Sequence, residues 1–184
     1  MRSFLAIKLS EECKLKLIQV QSKINSQLSF PVKWIIKDNL HLTLFFMGNL
    51  NKASVPLLDH ILTEVSQTHQ SFELKLEGIG CFPNMQKPKV LWVGCENNKK
   101  LISLHNDIAE KLEKHNIAFD QKRFNPHLTL GRIKSAPQVN KLAELCMLLH
   151  ASHTELVDKV CFFHSQLTYE GPIYTTLGEY HLKH

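Results

Sequence analysis

An α+β fold of two similar lobes, with antiparallel sheets backed by helices, is what this sequence predicts, and three observations lead there. The tetrapeptide His-Leu-Thr-Leu occurs twice, at His41–Leu44 and His127–Leu130. Among 11 histidines a chance recurrence of that length is on the order of a few per cent, so the repeat counts as internal self-similarity. Segments of two-residue apolar alternation and segments with apolar residues every three or four positions follow one another irregularly along the chain. Finally, no Gly-x-Gly-x-x-Gly and no Gly-x-x-x-x-Gly-Lys-Ser/Thr is present, so neither a dinucleotide-binding fold nor a P-loop is supported.

The elements follow in order. Phe4–Leu9 reads as a strand. Ser10 offers a helix N-cap followed by Glu11 and Glu12, where carboxylates suit the helix dipole. Cys13, Leu17, Val20, Ile24 and Leu28 then form a helical stripe that Pro31 ends. Val32–Ile36 is a short strand, with Trp34 half-exposed, and His41–Met47 is the next, broken by Gly48. A second helix runs from Ser54 to about His69. Phe72–Ile79 alternates Phe72, Leu74 and Leu76 with Glu73, Lys75 and Glu77, a half-buried strand. Val90–Gly94 is a more buried strand, and Leu101, Leu104, Ile108 and Leu112 mark a third helix. After the second His-Leu-Thr-Leu strand come a helix at Gln138–Leu149, a strand at Lys159–Thr168, a turn at Gly171-Pro172 and a closing strand at Tyr174–Leu182. No low-complexity segment or linker divides the chain, so residues 1–184 are expected to form one bilobal domain.

Composition narrows the function. At 184 residues, 43% hydrophobic and 21% charged, the chain can bury a real core and is not disordered. No apolar run approaches the ~20 residues of a membrane helix, and the first apolar stretch, interrupted by Lys8, reads as a strand rather than a signal peptide. The five cysteines are widely spaced with no Cys-x-x-Cys, which argues against a disulfide framework or structural zinc and for a reducing compartment, most simply the cytoplasm. A net charge of +5 favours an anionic partner, while the lack of a basic tract argues against wrapping of duplex nucleic acid.

Strand geometry gives the repeat a chemical meaning. Side chains alternate between faces, so His41 shares a face with Thr43, and His127 with Thr129. Leu42, Leu44 and Phe46 then belong to the opposite face, as do Leu128 and Leu130. Imidazole gives or takes a proton near neutral pH. In-line displacement at phosphorus wants a base on the entering oxygen and an acid on the leaving one. Two histidines on facing strands supply both, and the threonine hydroxyls can donate to phosphate oxygens. A zinc site on the two histidines lacks a cysteine or carboxylate at ligand spacing, so no metal or cofactor is expected. The other histidines, among them His69, His105, His150 and His153, show no partner pattern and read as surface or packing residues.

Arg2-Ser3-Phe4-Leu5-Ala6-Ile7, Trp34, the stretch from Asn39 to Gly48, the stretch from Phe124 to Arg132 and the closing Gly171-Pro172-Ile173-Tyr174 together resemble the 2H phosphoesterases. Within them the chain is most similar to the RNA 2′,3′-cyclic phosphodiesterases historically called 2′-5′ RNA ligases. The resemblance implies a pseudo-two-fold α+β fold with a central cleft. It also implies metal-independent opening of RNA 2′,3′-cyclic phosphate ends to 2′-phosphate ends, with His41 as proton donor and His127 as proton acceptor; ligation forming a 2′-5′ linkage is the reverse reaction. RNA ends or small cyclic nucleotides are the implied partners. Thr43, Thr129 and Arg132 are the expected phosphate contacts. By strict parity Arg132 points away from His127, so a bulge must re-aim it for that role.

Phe45, Trp34 and Tyr174 are candidates for stacking an unpaired base, whereas Phe4 and Phe124 read as core. Lys122, Arg123 and Lys134 flank the second motif and could steer a phosphate backbone. Two other readings stand beside the hydrolase. One is a non-catalytic RNA-end binding module on the same fold. The other is a related phosphodiesterase acting on a different nucleotide, such as 2′-5′ oligoadenylate. The internal duplication already supplies two half-sites, so a monomer is expected.

Overall fold

The computed structural model describes residues 1–134, 139–149, 151–169 and 171–184. Among them, nine strands form one antiparallel sheet, backed by four α-helices. In chain order the strands are β1 (Arg2–Lys8), β2 (Val32–Trp34), β3 (His41–Asn49), β4 (Phe72–Phe82), β5 (Val90–Cys95), β6 (His127–Ile133), β7 (His153–Val157), β8 (Lys159–Leu167) and β9 (Pro172–His181). The helices are α1 (Glu11–Asn25), α2 (Val55–Ser66), α3 (Lys99–Lys114) and α4 (Val139–Leu148). Gln138, expected to open the last helix, lies outside the described residues, as does His150.

The sheet order is β7-β4-β5-β6-β3-β1-β8-β9, with β2 added beside β6. The expected pair of sheets is therefore one sheet with two four-stranded arms. They join between β3 and β6 at one residue pair, Leu42 opposite Leu128. Outward from that pair the arms match strand for strand: β3 with β6, β1 with β5, β8 with β4, β9 with β7. The pseudo-two-fold axis thus passes through the middle of the repeated tetrapeptide.

Helix signals in the sequence act as read. Ser10 Oγ accepts from the Cys13 N–H at 3.2 Å, and the carboxamide oxygen of Asn98 caps α3 by accepting from Lys100 and Leu101. Leu101, Leu104, Ile108 and Leu112 are fully buried, as the 3.6-residue period requires. The main core lies between the helices and one face of the sheet. A small second cluster of Phe4, Ala6, Cys161 and Phe163, flanked by Tyr174, sits apart from it.

Strand β7 is absent from the sequence reading, because it turns Glu155 inward and Leu156 outward. Glu155 is buried, where its carboxylate accepts from both the N–H and Oγ–H of Ser10 at 2.8 Å and meets His153 Nε2 at 3.1 Å. These bonds tie the outer strand to the start of α1 and satisfy a carboxylate that would otherwise be costly to bury.

Candidate active site

Both histidine strands begin with the same local device. His41 Nδ1 lies 2.8 Å from the carbonyl of Asn39, and His127 Nδ1 lies 2.7 Å from the carbonyl of Asn125. A carbonyl only accepts, so each Nδ1 carries a proton and Nε2 is left as the nitrogen that can give or take one. Asn39 in turn donates through its side chain to the Pro172 carbonyl at 2.8 Å, which anchors the approach to β3 against β9. The repeat is thus Asn-x-His-Leu-Thr-Leu, with an asparagine two residues before each histidine.

The Leu42–Leu128 pair places His41 and His127 as diagonal neighbours across the β3–β6 seam. Such positions lie on the order of 7–8 Å apart, somewhat less at Cβ, which leaves room for a phosphate between the imidazoles. Thr43 Oγ1 is 3.0 Å from His41 Nε2, and against that bare nitrogen it is the hydroxyl that donates. His41, Thr43, His127 and Thr129 all line one cavity of about 600 Å³. Burial holds His41 well below its ordinary value, at about 4, opposed by its bond to Asn39 and reinforced by the nearby His127.

Two β-bulges change the parity beyond the threonines. On β3, Thr43 and Phe45 oppose consecutive residues of β1, Ala6 and Leu5. On β6, Thr129 and Gly131 oppose consecutive residues of β5, Trp92 and Leu91. Each bulge lies between the third and fifth residue of its motif, and each reverses the facing of the two residues that follow, Phe45 and Phe46 on β3 and Gly131 and Arg132 on β6; a second register shift follows on β3, between Phe46 and Gly48. Arg132 therefore lines the cavity with the histidines, as its expected role requires. Phe46 occupies the matching place in the first half. Expected in the core, it is 54% exposed and lines the cavity. Phe45, expected beside the histidines, is 3% exposed and packs in the core, with its ring stacked on His105 at 4.3 Å.

The β6 bulge is braced from behind. The Leu130 carbonyl accepts from the Ile35 N–H at 2.8 Å and from Gln21 Nε2 of α1 at 2.9 Å. Beside it, Trp34 closes over Gly131, where an added Cβ would stand 2.6 Å from Val32 Cγ1 and 3.0 Å from Trp34 Cε3. Trp34, a stacking candidate, is not among the residues that line the cavity. Its ring packs against the core, and its Nε1–H donates to Asn25 at 2.9 Å. Its neighbours Lys33 and Ile35 line the cavity instead.

Tyr174 does reach the site, edge-on to His41 at 5.4 Å between ring centroids. Burial raises its hydroxyl, opposed by Arg132 and Arg2. Phe4, read as core, is indeed buried but lines the cavity 4.9 Å from the His41 ring. In the other half Phe82 stands edge-on to His127 at 4.9 Å. Arg2, Lys33 and Arg132 ring the cavity, and none of the three makes an ion pair among the described residues. Ser3 adds a buried hydroxyl without a partner among the described residues. Arg2, Ser3 and Lys33 were missed as site residues because nothing local marks them; the sheet brings them together. Lys122 is engaged by Asp120 at 2.8 Å and, with Arg123, borders a neighbouring cavity. The two other paired histidines have structural partners, His69 with Asp107 and His153 with Glu155.

Fold and cleft together define a protein of the two-histidine phosphoesterase class. The chain belongs to the 2′-5′ RNA ligase superfamily, whose model matches residues 10–166. It is 33% identical over 180 residues to a Thermotoga maritima protein named RNA 2′,3′-cyclic phosphodiesterase, covering 97% of this chain and 94% of the relative. It is 31% identical to the protein of that name from Methanothermobacter thermautotrophicus, covering 98% of each. The crystal structure of TT0787 of Thermus thermophilus superimposes with a TM-score of 0.85 at 27% identity, over 100% of this chain and 98% of that one. Apo LigT of E. coli shares the fold at a TM-score of 0.75 and 24% identity, over 100% and 98% of the two chains. No helix among the described residues is long and apolar enough to cross a membrane.

Proposed function

We propose that the protein, acting as one bilobal domain over residues 1–184, hydrolyses RNA 2′,3′-cyclic phosphate ends to 2′-phosphate ends by two-histidine acid–base catalysis. One observation carries the reading: two imidazoles, each held at Nδ1 by the carbonyl two residues upstream, with both rings lining one cation-ringed cleft. The names of relatives above 30% identity over nearly the whole chain supply the substrate class.

In this mechanism His127 takes the proton of the attacking water through Nε2, and His41 delivers one to the departing 3′ oxygen. The ribose therefore lies on the His41 side of the phosphorus, beside Phe4, Tyr174 and Phe46. Thr43, Thr129 and Arg132 donate to the non-bridging oxygens, where charge accumulates as the fifth bond forms. His41 is neutral in the empty cleft at pH 7. An anionic phosphate at hydrogen-bonding distance restores its affinity for a proton, so binding loads the acid. No step requires a metal ion.

Adenosine 2′,3′-cyclic phosphate incubated with the protein in excess EDTA should yield adenosine 2′-phosphate, identified by its ³¹P resonance. A 3′-phosphate product would reverse the assignment of leaving oxygen. No turnover at all would leave the RNA-end binding module as the reading, with cyclic phosphate bound but unaltered.

A further inference from the structure

Away from the cleft, three side chains from the two ends of the chain meet where α1 begins. His153 and Glu155 alternate with Thr154 on β7 and so share one face of it, packed toward the first turn of α1, where Cys13 sits. Cys13 and Glu155 are buried, and His153 keeps only 11% of its side chain at the surface. The Cys13 sulfur, one imidazole nitrogen and one carboxylate oxygen all lie within 4.8 Å of one another. None of the three takes part in the hydrolysis proposed above.

A thiolate, an imidazole and a carboxylate are the donor types that zinc takes, at about 2.0–2.3 Å. Around a tetrahedral ion such bonds put the donors roughly 3.3–3.6 Å apart. His153 Nε2 and Glu155 Oε2 already stand 3.1 Å apart, so completing the triad takes shifts of about an ångström. The carboxylate is held for the task. Its Oε1 accepts from the Ser10 N–H and its Oε2 from the Ser10 hydroxyl, both at 2.8 Å, and outer bonds of this kind orient ligating carboxylates. A fourth position has its own space. A cavity of about 120 Å³ reaches Cys13 and His153 between Lys16, Val20, Leu76 and Ser152, and a water needs only about 30 Å³. The same cavity gives an ion its way in, and it shares no lining residue with the catalytic cleft.

We propose that Cys13, His153 and Glu155 bind one zinc ion, with a water from this cavity as the fourth ligand. As the ion enters, the Cys13 thiol gives its proton to solvent, so thiolate and carboxylate together balance the two positive charges. Lys16 Nζ stands 3.1 Å from His153 Nδ1. An ammonium only donates, so the ring proton is on Nε2, facing Glu155. Zinc takes the place of that proton, which moves to Nδ1. Lys16 then keeps Glu12, its ion-pair partner at 2.8 Å. Bound there, the ion ties the outer strand β7 to α1, the helix whose Gln21 braces the β6 bulge. It takes no part in the phosphodiester chemistry. Because the ligands lie at opposite ends of the chain, no spacing in the sequence announces the site, and the lack of Cys-x-x-Cys does not count against it.

The test uses the whole protein, stripped with EDTA, freed of the chelator and titrated with Zn²⁺ against a chromophoric competitor. The parent should bind about one equivalent, and its melting temperature should rise by on the order of 5 °C at about 100 times Kd. Co²⁺ in place of zinc should give a thiolate-to-metal charge-transfer band in the near ultraviolet. Cys13→Ala and His153→Ala should each weaken Zn²⁺ binding by more than roughly 100-fold, beyond what losing an outer partner costs, and Cys13→Ala should abolish the cobalt band. Lys16→Met, which removes the ammonium at Nδ1, should bind at least as tightly as the parent. His127→Ala should bind like the parent, and cyclic phosphate hydrolysis should be the same with and without the ion. No Zn²⁺ uptake by the parent would overturn the site, as would uptake that survives Cys13→Ala or is lost in His127→Ala. Where Cys13→Ala fails to fold, the cobalt band of the parent and its loss in His153→Ala decide. Binding is read without turnover, so its failure and the failure of the hydrolase reading are separate results.

Discussion

Replacing His41 with glutamine should remove a pH dependence of folding that the imidazole imposes. In the folded protein burial holds this ring at about 4 against an ordinary 6.5, so the fold prefers it neutral. The unfolded chain takes up a proton near 6.5, and the folded chain does not until about 4. The stability this difference contributes is complete above 6.5 and is lost as the pH falls toward 4. At 1.36 kcal/mol per pKa unit, moving from pH 7 to pH 5 should cost roughly 2 kcal/mol through His41 alone. His105, also lowered by burial, contributes in both proteins and cancels in the comparison. Urea unfolding of parent and His41→Gln at the two pH values measures the difference directly. The parent should lose about 2 kcal/mol more than the variant. Equal losses would mean that His41 ionises as readily in the cleft as in the unfolded chain, which its burial forbids.

Three further outcomes depend on the bulges and their supports. Arg132→Gln removes a charge-assisted contact to phosphate and should lower kcat/KM for cyclic phosphate roughly 10- to 100-fold, without changing the melting temperature; steady-state kinetics on folded variant would check this. Gly131→Ala forces a methyl into Val32 and Trp34 and should cost about 1–3 kcal/mol in denaturant unfolding, with a further fall in activity as β2 moves and Lys33 and Arg132 shift. Trp34→Phe should leave KM within twofold, whereas Phe46→Ala should raise it several-fold, since the bulge turns Phe46 and not Phe45 to the cleft. An unchanged KM in Phe46→Ala would restore the strict parity that the bulges break.

How far the sequence could be read depended on what each signal records. Period-two parity holds while a strand stays regular, so it placed His41 with Thr43 and His127 with Thr129. It fails at a bulge, and the two halves advertise their bulges unequally. Gly131 marks one, since glycine inside a strand often signals irregularity or close approach. Phe45-Phe46 gives no such sign, because either ring could be the inner one. The need for a bulge before Arg132 was legible as a condition, and the Gly131–Thr129 register meets it. Strand β7 was illegible because its buried face carries Glu155, a choice that the Ser10 N–H and hydroxyl and the His153 ring make tolerable. Arg2, Ser3 and Lys33 belong to strands far apart in sequence, and it takes the sheet order to gather them. The one sheet with two arms, in place of two sheets, rests on the single Leu42–Leu128 pair, which no local pattern announces.

The central claim is that His41 and His127 act as one acid–base unit. The most direct measurement is single-turnover hydrolysis of adenosine 2′,3′-cyclic phosphate by the parent, His41→Ala, His127→Ala and the double variant, all in EDTA. Each single variant should lose on the order of a thousandfold or more, and the double variant should lose little beyond the worse single one, because residues that work together are not additive. Either single variant retaining a rate within tenfold of the parent would contradict the account.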